Sequence, residues 1–380
     1  MDSDIHLKNR VGNDNLHIIP PGLAAITSSH ATHAKHCERR RANSHERAST
    51  DDKPAHKKRK VCDTAADENT DPDGRQHIAR MKTKVLDSVY GRVVEHPSWR
   101  MNVLPGVCPK VMTAQHVRAI KSGRWMCAHK TDGQRIIVLI DNGVCMFFNR
   151  SFSIIQSGLV ATNLNGHTVI DGELVTAKED GANILVVHDA FCVEGISVTN
   201  LKFSLRMQVA QRLCQKLQHK LVSTTYVVCK PFFDATISNI KTMNTATFGL
   251  EVNKKPFRTI KADGVVFVDD SQPAHNQRDD VVVKWKETEE CTLDFQVGDD
   301  GFSLFLHQND GMFMAGRSCK KCTPGIVCEF SMLPNGEWQM IRERRDRRRP
   351  NSAASAVQTL SFKTVCKALW KELTMSVTEL

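Results

Sequence analysis

No apolar run in this chain approaches the roughly 20 residues that a membrane-spanning helix needs. The longest are strand-sized, as at Ile136–Ile140. The opening residues, MDSDIHLKNR, lack the apolar core of a secretory signal. Aromatic residues are only 6% of the chain, and no internal repeat is visible. Acidic residues are outnumbered, 42 against 52 Lys and Arg, and the resulting charge of +10 favours a polyanionic partner. What is present is globular in character: 41% hydrophobic and 25% charged residues, enough to build a core. At 380 residues the chain fits two domains and a tail rather than one domain. Its 13 cysteines are scattered without a framework spacing and read as reduced core thiols. Composition thus excludes membrane, secreted-miniprotein and fibrous classes, and leaves the activity open.

Residues 1–80 stand apart. They hold half of the 16 histidines, many charges, few large apolar residues and no sustained period, which predicts a disordered tail. The histidine spacings match no Cys/His finger. His36-Cys37 lacks the arginine six residues after the cysteine that a cysteine-phosphatase loop needs, since Asn43 stands there. Lys57-Lys58-Arg59-Lys60-Val61 is either a solvated charge run or a nuclear-import signal; its accessible setting favours import, and hence a nuclear location. From Met81 onward, apolar strand-like runs alternate with polar breaks: Ile136–Ile140, Cys145–Phe148, Thr168–Ile170, Ile184–Val187, Val227–Cys229, Gly264–Val268 and Val281–Val283. Leu205, Val209, Leu213 and Leu217 fall at helical spacing within 202–217. Many strands with few helices predict an α+β domain on antiparallel sheet over 81–287. Five short strands with Gly-containing turns follow in 288–362, fitting an OB-fold barrel or another small β domain. Residues 363–380 are predicted to be helical.

The chemistry concentrates in Lys130-Thr131-Asp132-Gly133-Gln134-Arg135, where a lysine precedes a tight turn whose glycine allows a ligand close to the backbone. Read alone, it is equally a surface turn with incidental charges. Downstream, Asp171-Gly172-Glu173 ends one strand and Asp263-Gly264 precedes another. In Lys284-Trp285-Lys286 the two lysines share a strand face. Arg344-Arg345-Asp346-Arg347-Arg348-Arg349-Pro350-Asn351 comes last. Carboxylates to hold metal and cations to hold phosphate suit a nucleotide substrate. Cys319, Cys322 and Cys328 offer half of a zinc site at most, and stray thiols in a loop are the simpler reading.

Taken in order, these segments resemble the six motifs of the covalent nucleotidyltransferase superfamily, most closely its mRNA capping guanylyltransferase branch. KTDGQR resembles the first motif, NRSF at 149–152 the following arginine element and DGE the third motif. HDAF at 188–191 resembles the next, DGVVF the fourth, KWK the fifth and RRDRRRPN the sixth. Leu104-Pro105-Gly106-Val107-Cys108-Pro109 resembles the segment upstream of the lysine in capping enzymes. The likeness covers about 81–362. It implies Lys130 as the nucleophile that takes GMP from GTP and passes it to a 5′-diphosphate RNA end. It further implies Arg135 and Glu173 at the ribose, Arg150 at ribose or phosphate, and Asp171 and Gly172 lining the nucleotide site. His188 would stack on the purine, Lys261 would read guanine O6, and Lys284, Trp285 and Lys286 would form the phosphate strand. Arg344, Asp346 and Arg347 would close from the small domain, an OB fold by resemblance, and the C-terminal helix would cross back to the large domain. Asp263 and Glu173 would bind Mg2+ or Mn2+.

Three departures bear on selectivity: His188 where an aromatic is usual, Arg347 where lysine is usual, and Cys108 for glutamine. An ATP-dependent polynucleotide ligase shares the lysine, DGE and DG elements, but KWK, the PN ending and the upstream PG segment speak for capping. A nucleic-acid-binding protein with a decayed transferase core is the other alternative, against which the intact Lys130, Glu173, Asp263 and Lys284 stand. A separate RNA triphosphatase, a cap methyltransferase and the transcription machinery are the implied partners.

Overall fold

The computed structural model describes residues 72–90, 104–150, 152–155, 164, 166–218, 225–252, 255–274, 280–309, 311–345 and 347–375. The expectations for residues 1–71, including the histidines and the import-type cluster, lie outside them. A helix, α1 (Pro72–Tyr90), occupies the last part of the segment expected to be a disordered tail. Met81, Val85, Leu86 and Val89 of α1 are buried. They pack with Ile137, Leu139, Phe148 and Phe191, each burial contributing roughly 1.5–3 kcal/mol.

The large domain is α+β, built on two sheets. Its first sheet follows the order β5 (Ile154–Ile155), β4 (Val144–Phe148), β3 (Gln134–Asp141), β6 (Thr168–Thr176), β7 (Asn183–Val193) and β8 (Ile196–Ser197), with β9 (Thr225–Cys229) parallel to β7. β3 is buried on both faces. Ile137 and Leu139 meet α1, while Ile136, Val138 and Ile140 join the core beneath α3 (Phe203–Gln218). That double burial explains the unbroken apolar run. Asp189 of β7 forms a two-pronged pair with Arg206 of α3, at 2.7 and 3.0 Å, pinning helix to sheet.

The second sheet runs β1 (Lys110–Val111), β13 (Val282–Trp285), β12 (Lys255–Asp269), β2 (Trp125–Thr131) and β10 (Phe233–Asp234), with β11 (Thr247–Val252) on the other half of β12. Helices α2 (Ala114–Ser122) and α4 (Ile237–Thr242) cover it. Thr113 caps α2 with its hydroxyl, supplying one of the acceptors a helix start lacks. The two sheets meet where Val175, Ile184 and Val186 pack on Phe248, Leu250 and Ile260.

The small domain is an antiparallel sheet of β14 (Leu293–Val297), β15 (Ser303–Gln308), β16 (Gly311–Arg317), β17 (Val327–Met332) and β18 (Trp338–Glu343), ordered β16-β15-β14-β17-β18. One parallel bridge, Ser318 to Trp338, joins its two ends. The terminal helix α5 (Ala353–Thr374) starts ten residues before the expected position. Ala356 and Leu360 pack into the small domain, whereas Phe362, Cys366, Leu369 and Leu373 pack under the second sheet.

Candidate active site

Lys130 sits near the end of β2, directly across from an irregularity in β12. Ala262 pairs with Thr131 and Val265 with His129, so Asp263 and Gly264 bulge out opposite the lysine. Gly264 has φ +138°, and a Cβ there would lie 2.1 Å from the Trp285 carbonyl oxygen. Only glycine lets β13 come this close while Asp263 turns toward Lys130. Gly133 meets a different limit, since a Cβ would fall 2.5 Å from Val175 and 2.6 Å from the Leu174 carbonyl oxygen.

Lys130 Nζ donates to Asp263 Oδ1 at 2.7 Å, and Lys286 Nζ donates to Asp263 Oδ2 at 2.5 Å. Burial works against the Asp263 charge, but these two ammoniums outweigh it and hold its carboxyl below the ordinary range. Lys284 shares the strand face with Lys286. Burial first, then the charges of Lys130 and Lys286, pull its pKa down to about 8, with Arg150 adding to the same field. Arg150 is itself exposed.

Trp285 does not share the lysines' face. It points to the opposite face of β13, buried against Trp370 with ring centroids 4.0 Å apart, and Nε1 donates to the Cys366 carbonyl. Strand alternation dictates this: with two lysines facing the cleft, the residue between them must face the core. The assignment of Trp285 to the nucleotide is therefore corrected; it anchors α5 behind the lysines.

On the first sheet, Arg135 and Glu173 are register partners across β3 and β6. Arg135 is buried, donating to both Asp171 oxygens (3.0 and 2.6 Å), to the Pro105 carbonyl and to Cys108 Sγ. His188 Nε2 lies 3.2 Å from Asp171 Oδ1. Despite burial, Arg135 and His188 keep the Asp171 carboxyl well below its usual range. In this arrangement Arg135 is a frame for the upstream segment and Asp171 is its counter-ion; the half-buried Glu173 is the group beside them left to meet a ligand. Asp171-Gly172-Glu173 does not end a strand as expected but lies in the middle of β6, where a Cβ on Gly172 would lie 2.9 Å from Leu185 and leave no room for a side chain.

Lys261 is exposed, and its carbonyl accepts the Asp132 backbone N–H. The buried ammonium that shares the cleft is instead Lys230, directly after β9. Burial, with the Lys130 charge adding, lowers its pKa to about 8, while Glu173 and Asp263 pull the other way. Lys230 carries no motif in the sequence; only the parallel pairing of β9 with β7 brings it here. Thr131 Oγ1 is buried with no hydrogen-bond partner among the described residues.

The sixth motif lies on the small domain. Arg344 Nη1 reaches Asp294 at 3.1 Å and Arg347 Nη1 reaches it at 2.7 Å. Asp294 is buried on β14, and Asn351 Oδ1 accepts its backbone N–H, locking the PN ending into the sheet. Asp346 lies outside the described residues. Arg342 pairs with Glu329 at 2.7 Å, and this carboxylate, against the cost of burial, raises the hold on its proton.

A family model described as mRNA capping enzyme, catalytic domain, matches residues 72–288. An mRNA-capping enzyme of Caenorhabditis elegans is 23% identical over 298 residues. That match takes in 67% of this chain, which spans about half (46%) of the relative's length. Among solved structures, a mycobacterial DNA ligase D complexed with ATP and MES is 17% identical. It covers 63% of this chain and 96% of its own, with a TM-score of 0.38. The ATP-dependent DNA ligase of bacteriophage T7 in complex with ATP is 8% identical, covering 63% of this chain and 98% of its own, with a TM-score of 0.35. With more than half of its length matched by that family model, this chain belongs to the mRNA capping enzyme catalytic-domain family.

Proposed function

We propose that the chain is an mRNA guanylyltransferase working through a covalent lysyl-GMP. The observation that carries the reading is Asp263 paired with both Lys130 and Lys286, with Lys230 and Lys284 near enough to feel its charge and Glu173 acting on Lys230. Such a cluster is built to receive phosphate, and it contains an amine on a rigid strand.

In the first half-reaction Lys130 Nζ, deprotonated, bonds to the α-phosphorus of GTP, the bond from that phosphorus to the bridging oxygen breaks, and pyrophosphate leaves. In the second, a terminal oxygen of a 5′-diphosphate RNA bonds to the same phosphorus, the N–P bond breaks, and the lysine amine is recovered. Lys284 and Lys286 steady the α-phosphate and its developing charge. Asp263 and Glu173 are hard oxygen donors of the kind that magnesium or manganese takes alongside substrate phosphates. The ion they would hold supplies positive charge to the phosphate oxygens. Asp263 is bound by two ammoniums, so nucleotide binding has to redistribute those contacts.

The strand order of the small domain, 3-2-1-4-5 in its own count with a bridge joining the ends, supports an OB fold. Arg344 and Arg347 would then reach the outer phosphates on closure, excluding water. His188 presents an imidazole at the position next to Asp189 expected to face the purine. A partner RNA triphosphatase would generate the 5′-diphosphate end, and a methyltransferase would act on the product. The KKRKV cluster supports a nuclear location and access to the transcription machinery.

Incubation with α-labelled GTP and magnesium or manganese is expected to label the protein, and Lys130→Ala to abolish the label. Labelling by ATP instead would favour a ligase, and labelling by neither would favour a binding protein.

A further inference from the structure

Helix α1 carries none of the six motifs, yet more than its apolar face ties it to the first sheet. Lys84 Nζ pairs with Asp141 Oδ2 at 2.7 Å, and Ser88 Oγ lies 3.2 Å from His167 Nε2. With the buried Val85, Leu86 and Val89, these contacts fix the end of the helix that carries Tyr90. Tyr90 Oη accepts the backbone N–H of Gly106 at 3.2 Å, from 16 residues away in the chain. Leu104 is buried in the same apolar cluster as α1. The helix thus holds the segment 104–109 by a hydrogen bond and a side chain.

That segment supplies half of the cage around Arg135. The Pro105 carbonyl accepts from Nη2 at 3.0 Å and Cys108 Sγ from Nη1 at 3.1 Å, while Asp171 accepts from Nε and Nη2. A Cβ on Gly106 would lie 2.8 Å from Arg135 Nη2, so backbone rests directly on the guanidinium. The carbonyl of Pro105 and the N–H of Gly106 belong to one peptide group. It is trans and planar, so fixing its N–H on Tyr90 also fixes where its C=O points. On the far side of Arg135, Asp171 Oδ1 lies 3.2 Å from His188 Nε2.

We propose that Tyr90 is a positioning residue for the nucleotide base. Its hydroxyl orients the 105–106 peptide, which seats the Arg135 guanidinium; Arg135 holds Asp171, and Asp171 sets the angle at which the His188 imidazole meets the purine. A buried guanidinium donor is costly to leave unmet, so Arg135 follows the carbonyl when the peptide turns. The phosphate side of the cleft is insulated from this line, because Asp263 and Lys284 stand on β12 and β13 and take no part in these contacts. The role at the purine rests on the guanylyltransferase reading, whereas the line from Tyr90 to Asp171 does not.

The test is Tyr90→Phe in the full-length protein, which keeps the ring among its apolar neighbours and removes only the hydroxyl. Calorimetry compares an α,β-methylene analogue of GTP with inorganic tripolyphosphate. Losing one neutral hydrogen bond changes an equilibrium by about two- to tenfold, so affinity for the analogue should fall by about that factor. Affinity for tripolyphosphate should stay unchanged, a split that a tyrosine serving only stability would not produce. In a His188→Ala background, Tyr90→Phe should cost nothing further, because both residues act in one line. Nitrogen-15 NMR reads the line without nucleotide: the Arg135 Nε–H should exchange with solvent faster in Tyr90→Phe than in the parent protein. Equal losses for both ligands, an unchanged affinity for the analogue, or an additive loss in the double variant would overturn the proposal. So would an unaltered exchange rate at Arg135 Nε–H. That last readout uses no nucleotide, so failure here is separable from failure of the proposed function.

Discussion

Nucleotide affinity should fall as pH rises through the range where the buried lysines lose their protons. Lys284 has its pKa lowered to about 8 by burial and by Lys130 and Lys286. The sign follows from that direction: the free protein sheds this proton at a lower pH than an exposed lysine would, while phosphate binds the protonated form. With a pKa near 8, about nine-tenths of the free protein carries the proton at pH 7 and about one-tenth at pH 9. If only the protonated form is competent, the apparent Kd rises about tenfold across that interval. Lys230, also lowered to about 8, steepens the rise toward about a hundredfold if its charge is required as well. Calorimetry with an α,β-methylene analogue of GTP, which cannot transfer its nucleotide, measures this without the covalent step. Lys284→Arg keeps its charge throughout and should flatten the profile by about tenfold, and the comparison cancels the ligand's own titration. A Kd unchanged between pH 7 and 9, or an unaltered profile in Lys284→Arg, would refute the electrostatic account of the cleft.

Removing Arg135 strands the buried Asp171 carboxylate, so Arg135→Ala should cost about 3–5 kcal/mol in urea unfolding, with part recovered in the double variant Arg135→Ala/Asp171→Ala. Gly264→Ala forces a methyl onto the Trp285 carbonyl, and faster amide exchange in β12 and β13 should accompany loss of GTP labelling. Trp370→Ala removes the half-buried ring that lies tilted against Trp285 and should cost about 2–3 kcal/mol by chemical denaturation, with Trp370→Phe retaining a larger share of the stability.

Legibility in the sequence followed burial. The run 136–140 announced a strand because both faces of β3 are covered, and Leu205, Val209, Leu213 and Leu217 marked α3 by their spacing. β2, which carries Lys130, went unread because Trp125–Thr131 mixes apolar, histidine and lysine residues as it passes from core to cleft. The first half of β12 was hidden in the same way by Lys255, Arg258 and Lys261. α1 did leave a signal, since Met81, Val85, Leu86 and Val89 fall on one helical face, but its polar first turns merge with the tail. At the site, the ordered motifs name Lys130, Asp263, Glu173 and the lysine pair, residues that the fold brings near one another. Trp285 does not join them, because a strand sends the middle residue of Lys284-Trp285-Lys286 to the other face. Lys230 and Asp294 could not be found locally. One is brought to the cleft by parallel pairing with β7, and the other meets the sixth motif from 50 residues away.

The central claim is that the amine of Lys130 becomes covalently bound to guanylate. Mass mapping of the protein after incubation with GTP and magnesium, under conditions that preserve phosphoramidates, addresses it directly. The account predicts a single guanylate on the peptide carrying Lys130, discharged by 5′-diphosphate RNA. An unmodified Lys130, or a guanylate carried on a different lysine, would contradict it.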